Sequence, residues 1–341
     1  MEFGIWLPVY GGWLRAQGFN TEPCATESIA LAEQVEHDGY DYVYASENFL
    51  NCIHGAAHDV DDAWITLSAV AAKTNRINLV GALKPGFRPP IVAAQMVATL
   101  DRISRGRIAV NIVCGWWQEE FQRAGVVWRE HDDKYAFASR YLQELGEFWV
   151  KQGDYTPRKR LAGGQMPKVW VSGHSQQALA FAAEKADVLF LNGMPPVEAR
   201  SIADRLSMID GQRKPRIAIN AFVILDKSDS AAFERRDELL GRARRDLIAF
   251  YRNEIVNSGS SAWSSLSEDQ FIDANGGFPT ALVGGADAIT TRLHEYNRAG
   301  VDLILCQFPD MSEDSRRFAN EVMRRFPANT AQVNTKRGVY A

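Results

Sequence analysis

The sequence predicts a (β/α)8 barrel. Short apolar runs alternate with helix-patterned stretches along the chain, the order that builds a parallel sheet flanked by helices. Eight such units fit into 341 residues, a length that suits one large α/β barrel. The rival is an open doubly wound sheet, which carries a glycine-rich turn after its first strand. Here that place holds Pro8-Val9-Tyr10-Gly11-Gly12, without GxGxxG spacing.

The elements follow in order. Residues 3–9 read as the first strand, and 25–36 carry apolar side chains at helical spacing. Strand 42–45 leads to helix 63–72, and strand 77–83 leads to helix 90–103. A basic turn, Arg105-Gly106-Arg107, then feeds strand 108–113, which breaks at Gly115. Strand 169–172 hands over to helix 175–185 with serine at the expected N-cap. Strands 188–192, 217–225 and 303–308 complete the set. Residues 1–328 form one expected domain, with 329–341 as a tail.

Two stretches exceed ordinary loop length, 150–167 and 253–280. The second is rich in Ser and Gly and holds Trp263 and Phe278. It reads either as a lid over the active-site face or as a plain surface loop.

A formal net charge of −4 and a pI near 5.9 argue against a nucleic-acid surface. The basic clusters at 158–160 and 242–245 read as solvated faces. No apolar run reaches the roughly 20 residues of a membrane span, and no leader pattern opens the chain. Cys24, Cys52, Cys114 and Cys306 are scattered without zinc spacing. Reduced thiols in the cytoplasm are the expectation.

Residues 106–149 carry the most chemistry. Asn111 is the one polar side chain in its strand, and a buried amide requires hydrogen-bond partners. Its place near the strand's end, before a glycine turn, points to a ligand-binding rim. Val171-Ser172-Gly173-His174-Ser175 joins a strand to a helix start, where free N–H groups and the helix dipole suit a phosphate. An ordinary serine cap describes the same residues. Lys134 and Tyr135 can both reach phosphate oxygens. His131-Asp132-Asp133 is too compact to converge on one metal ion, and no metal is expected. Glu119 and Glu120 point about 100° apart on a helix, so they do not form a dyad. His54 and His58 suit a pocket lining or a surface loop, and no GxSxG elbow exists.

Beyond these local readings, the stretches DDAWITLSAVAAKTNRINLVGALKPG, PPIVAAQMVATLDRISRGR, GRIAVNIVCGWWQEEF, EHDDKY, INAFVIL, GGFPTALVG and AGVDLIL resemble the bacterial luciferase-like flavin monooxygenases. The nearer likeness is to the dimethylsulfone monooxygenase subgroup, with the alkanesulfonate monooxygenases as relatives. The resemblance implies a (β/α)8 barrel that takes reduced FMN (FMNH2) from a separate flavin reductase, uses O2 and assembles as a homodimer or homotetramer. By the same resemblance Asn111 meets the flavin and is the expected catalytic residue. Ser46, Glu47, Glu120, Lys134, Tyr135, Ser172, Gly173 and Ser175 complete the expected cofactor site, although Glu47 departs from the usual residue there. Trp116, Phe222, Trp263, Asn275 and Phe308 are the expected pocket walls, with Phe222 and Phe308 equally readable as core.

Departures from the sulfonate-oxidising pattern bear on the substrate. Val60 replaces a cysteine, Asn220 and Phe222 replace an arginine and a histidine, Asn275 replaces a lid arginine and Phe308 a tyrosine. A sulfonate requires a guanidinium. The losses imply a neutral, sulfone-like substrate, or a different anion-binding group such as Arg88 or Arg15. An alkanesulfonate, a pyrimidine-like heterocycle, a deazaflavin-dependent reaction and a non-catalytic flavin-binding barrel are the competing readings.

Overall fold

The computed structural model describes residues 1–150, 161–162, 165–211, 213–257, 266–273 and 276–327. Its fold is a (β/α)8 barrel. The strands β1 (Glu2–Trp6), β2 (Tyr42–Ala45), β3 (Asn78–Leu83), β4 (Ile108–Ile112), β5 (Lys168–Ser172), β6 (Val188–Leu191) and β7 (Arg216–Leu225) run parallel and pair in sequence around the ring. A later strand, β9 (Leu303–Gln307), pairs with both β7 and β1 and closes it.

The expected strands lie close to these bounds. β1 ends at Trp6, short of the expected residue 9; Pro8 has no N–H to extend the ladder. The sequence did not announce β8 (Leu282–Gly284), which pairs with Val223–Leu225 of β7 outside the closed ring. Three residues carry too little pattern to stand out.

The helices around the ring are α1 (Ala25–Asp38), α2 (Ala63–Lys73), α3 (Pro90–Ser104), α4 (Gln118–Arg123), α5 (His131–Val150), α6 (Gln176–Lys185), α7 (Pro196–Ser207), α8 (Asp229–Gly241), α9 (Arg245–Asn257), α10 (Ala286–Arg298) and α11 (Glu313–Glu321). Local chemistry starts several of them. Asp62 caps α2 by accepting from the Trp64 and Ile65 N–H groups at 2.8 and 2.9 Å. α3 opens on a proline in its first turn, where a missing N–H costs nothing.

Alternation puts Trp6, Tyr42, Tyr44, Trp170 and Phe190 into one interior aromatic stack, with Trp6–Tyr44 centroids 4.6 Å apart and Tyr44–Phe190 5.2 Å apart. The barrel floor is stapled by Arg107. Its buried guanidinium donates to the carbonyls of Ala71, Thr74 and Ile77 at 2.7–2.9 Å. Among the described residues, no helix is long and apolar enough to cross a membrane, and no group of three or more His, Cys, Asp or Glu could hold a metal ion. The expected tail (329–341), the 158–160 cluster, Trp263 and Asn275 lie outside the described residues.

Candidate active site

The C-terminal ends of the ring strands form a mouth whose walls differ from side to side. On the β2–β5 side, Asn111 of β4 is fully buried. Its Nδ2 donates to the Tyr44 hydroxyl at 2.8 Å and to Ser172 Oγ at 2.9 Å, while Ser172 Oγ donates back to Oδ1 at 3.1 Å. Both amide hydrogens are spent on the wall, which leaves Oδ1 as the atom with accepting capacity to spare. Burial raises the Tyr44 phenol above its ordinary value, so it stays protonated. Tyr44 was not singled out from the sequence; the signal was there, because Tyr42, Tyr44 and Ser46 alternate onto one face.

A buried ionic cluster frames this net. Glu120, at 1% exposure on α4, pairs with Lys84 Nζ and accepts from the Phe49 N–H at 2.7 Å. Lys84, just after β3, also donates to Asn48 Oδ1. Glu47 pairs with Arg88 and accepts from the Lys84 N–H at 2.8 Å. Arg88 reaches Asp62 at 3.5 Å as well. Burial raises the Glu47 carboxyl, and Arg88 opposes that shift. Two of the expected cofactor residues, Glu47 and Glu120, thus serve as partners for Lys84 and Arg88, joining the loops after β2 and β3 to α4. Lys84 carries this cluster and was missed in the sequence, where it looked like an ordinary lysine beside a turn.

At the far edge of the same side, α6 begins. Ser175 caps it, its Oγ accepting from the Ala178 N–H at 3.2 Å. Gly173 has φ 127°, and a Cβ there would lie 3.0 Å from the Tyr135 hydroxyl and 3.1 Å from the Ala178 Cβ. Gly173 thus keeps open the ground between Tyr135 and the helix start. Burial pushes the Tyr135 phenol up to about 12, with Ser175 opposing the shift. Lys134 lies over the Trp128 ring at 3.4 Å and donates to Gly115 O at 3.3 Å. Burial lowers its ammonium to about 8.

The β7–β9 side is neutral. Asn220 is fully buried and accepts from Gln307 Nε2 at 3.2 Å. Phe222 is 1% exposed and tilts against Phe278 with centroids 5.5 Å apart. A Cβ on Gly277 would lie 2.5 Å from the Phe222 N, so the chain after 276 rests directly on β7. Phe308 is not brought to the mouth. It packs on Phe318 of α11 at 5.5 Å and borders a cavity of about 510 Å3 between α1 and the loops after β1 and β9. Gln307, one residue earlier, faces the interior in its place. Trp116 stacks on Trp117 at 5.9 Å and meets Tyr251 of α9 edge-on at 5.3 Å.

Neither arginine considered as a substitute anion site is available. Arg15 is fully buried and donates to the carbonyls of Ile53, Phe271 and Asp273 at 3.2, 2.9 and 2.7 Å. Its guanidinium also stacks on Tyr251 at 3.9 Å. It ties the first loop to the segment around 271–273. Arg88 is held by Glu47 and Asp62.

Comparison with known proteins places the chain. Residues 1–303 match the family model described as Luciferase-like monooxygenase. The FMNH2-dependent dimethylsulfone monooxygenase of Pseudomonas putida is 27% identical over 345 residues, covering 95% of this chain and 94% of that protein. Among solved structures, a riboflavin lyase with modified FMN and riboflavin superposes with a TM-score of 0.78 at 15% identity, over 95% of this chain and 91% of that one. DmoA from Hyphomicrobium sulfonivorans superposes with a TM-score of 0.72 at 17% identity, over 95% and 86%. The chain belongs to the luciferase-like monooxygenase family.

Proposed function

We propose that this protein uses reduced FMN and O2 to oxygenate a small uncharged sulfone, cleaving a C–S bond. One observation carries the substrate reading: among the described residues, Arg15, Lys84 and Arg88 are all committed to protein partners, and the β7–β9 wall offers Asn220 and Phe222 instead of cations. A sulfonate buried there would lack a counter-charge, which is costly.

The residues present suit the cofactor. The ground kept open by Gly173, between the Tyr135 hydroxyl and the start of α6, fits a phosphate group, with the first-turn N–H groups as donors. Lys134 adds positive charge nearby. Asn111, held still by Tyr44 and Ser172, offers Oδ1 to a flavin N–H. When bound, reduced FMN supplies the two electrons that activate O2. Phe222, Phe278 and the close-packed Gly277 exclude water on the substrate side. The flavin arrives from a separate reductase.

For dimethyl sulfone the balance is (CH3)2SO2 + O2 + two electrons and two protons, giving methanesulfinate (as its acid), formaldehyde and water. The test supplies reduced FMN through a flavin reductase and follows products. Sulfinate and formaldehyde in equal amounts are expected from the sulfone, with no sulfite from an alkanesulfonate. Sulfite release from the sulfonate, or turnover of a pyrimidine in preference to the sulfone, would overturn the reading.

A further inference from the structure

The cavity between α1 and the loops after β1 and β9 stands apart from the Asn111 net, on the far side of the ring from β4. It measures about 510 Å3, within the range of small-molecule sites. Its base is apolar and buried, lined by Trp13, Leu31 and Phe308. Its rim is acidic and exposed, carrying Glu22, Glu27 and Asp310. Among the described residues that line it, none is a lysine, arginine or histidine.

Bonds within the protein give the walls their shape. The Gly12 N–H donates to the Asn20 carbonyl at 2.6 Å, and a Cβ on Gly12 would come 2.5 Å from that oxygen. The loop after β1 thus doubles back on itself. Opposite, Gln34 Nε2 of α1 donates to the Ser312 carbonyl at 2.8 Å, and Ser312 Oγ donates back to Gln34 Oε1 at 2.6 Å. The rim acids keep capacity to spare. Asp310 Oδ1 accepts from the Ser312 and Glu313 N–H groups at 3.0 and 2.8 Å, and its Oδ2 has no hydrogen bond among the described residues. Glu27 has neither a hydrogen bond nor an ion pair among them. Two basic groups stand outside the lining. His58 Nδ1 meets Glu22 at 3.2 Å, and Arg242 lies over the Phe19 ring at 5.0 Å while donating to the Gln17 carbonyl at 3.0 Å.

We propose that this cavity binds a small organic cation with an apolar body, of the aryl-alkylammonium class. The buried base takes the apolar body and the acidic rim takes the ammonium group. A concave surface lined by one sign of charge concentrates ions of the other sign. A neutral molecule of the same shape gains only the base, and an anion meets three carboxylates with no cation in the lining. The site is separate from the flavin and substrate positions, so it stands whether or not the sulfone reading holds.

Cys24 lines the cavity and is half-buried, so its thiol reports on occupancy. The test adds phenylbutylammonium, phenylbutanol or phenylbutanoate to the full chain and follows protection of Cys24 from a maleimide, read by peptide mass. The ammonium should protect at the lowest concentration, the alcohol at about tenfold more, and the carboxylate not at all. The double variant Glu22→Gln, Glu27→Gln should remove most of the ammonium's advantage over the alcohol and leave the alcohol's own protection in place. High salt should act in the same direction, because exposed charges are screened. Equal protection by ammonium and alcohol overturns the proposal, as does no protection by the ammonium at any concentration the protein tolerates. A double variant that keeps the full advantage also overturns it. So does protection of Cys24 that grows with protein concentration alone, which would mean that a second copy of the chain covers the cavity.

Discussion

The two sides of the barrel mouth use polar groups in opposite ways. The β2–β5 side concentrates charge and hydrogen bonds: Glu47, Lys84, Arg88 and Glu120 neutralise one another, and Tyr44, Asn111 and Ser172 hydrogen-bond one another. The β7–β9 side carries a neutral amide pair and two phenylalanines, with a glycine segment laid on its backbone. The charged side is built to be rigid, since each buried ion has a specific partner and moving one strands another. The neutral side suits the uncharged guest proposed above. What the contrast teaches is that the presence of cations near a mouth says little about substrate charge until their partners are known.

The largest expected effect comes from breaking the charged side. Lys84→Met leaves Glu120 buried at 1% exposure without its cation, which should cost about 3–5 kcal/mol. Chemical denaturation measures it. The double variant Lys84→Met, Glu120→Met should recover a large part of the loss, because no lone charge remains. A single variant as stable as the wild type would mean that the cluster is not what holds these loops.

A smaller effect follows from Lys134. Burial lowers its ammonium to about 8, so the charge it would offer the proposed phosphate site is present below that pH and is lost as pH rises through it. Reduced-FMN affinity should fall several-fold from pH 7 to 9, and Lys134→Met should flatten the profile. For folding alone the sign is the reverse. The folded-state value lies below the unfolded one, so stability rises with pH between about 8 and the ordinary lysine range near 10.4. Opposite trends in binding and stability separate the two roles.

Much of the barrel was legible in the sequence, because eight apolar runs at regular spacing are dictated by the strands' burial on both faces. The start of α6 was also legible, since Ser172-Gly173-His174-Ser175 shows its turn chemistry locally. Partnerships were not. In the sequence Arg15 reads as a possible anion-binding group and Arg107 as part of a basic turn, yet both are buried against carbonyls from distant segments. Glu120 looked like half of an acidic pair, and its role is set by Lys84, 36 positions away. Phe308 and Gln307 are neighbours, and only the register of β9 against β1 and β7 decides which faces inward. Such choices depend on the three-dimensional pairing of residues far apart in the chain.

The most direct test of the division between a cofactor side and a substrate side is a titration of reduced FMN and reduced riboflavin against the wild type and Gly173→Ala. A Cβ at 173 fills the ground beside Tyr135 and Ala178 and strains a φ of 127°. The variant should lose at least about tenfold in FMN affinity while binding riboflavin, which has no phosphate, as the wild type does. Unchanged FMN affinity in a folded variant would contradict it.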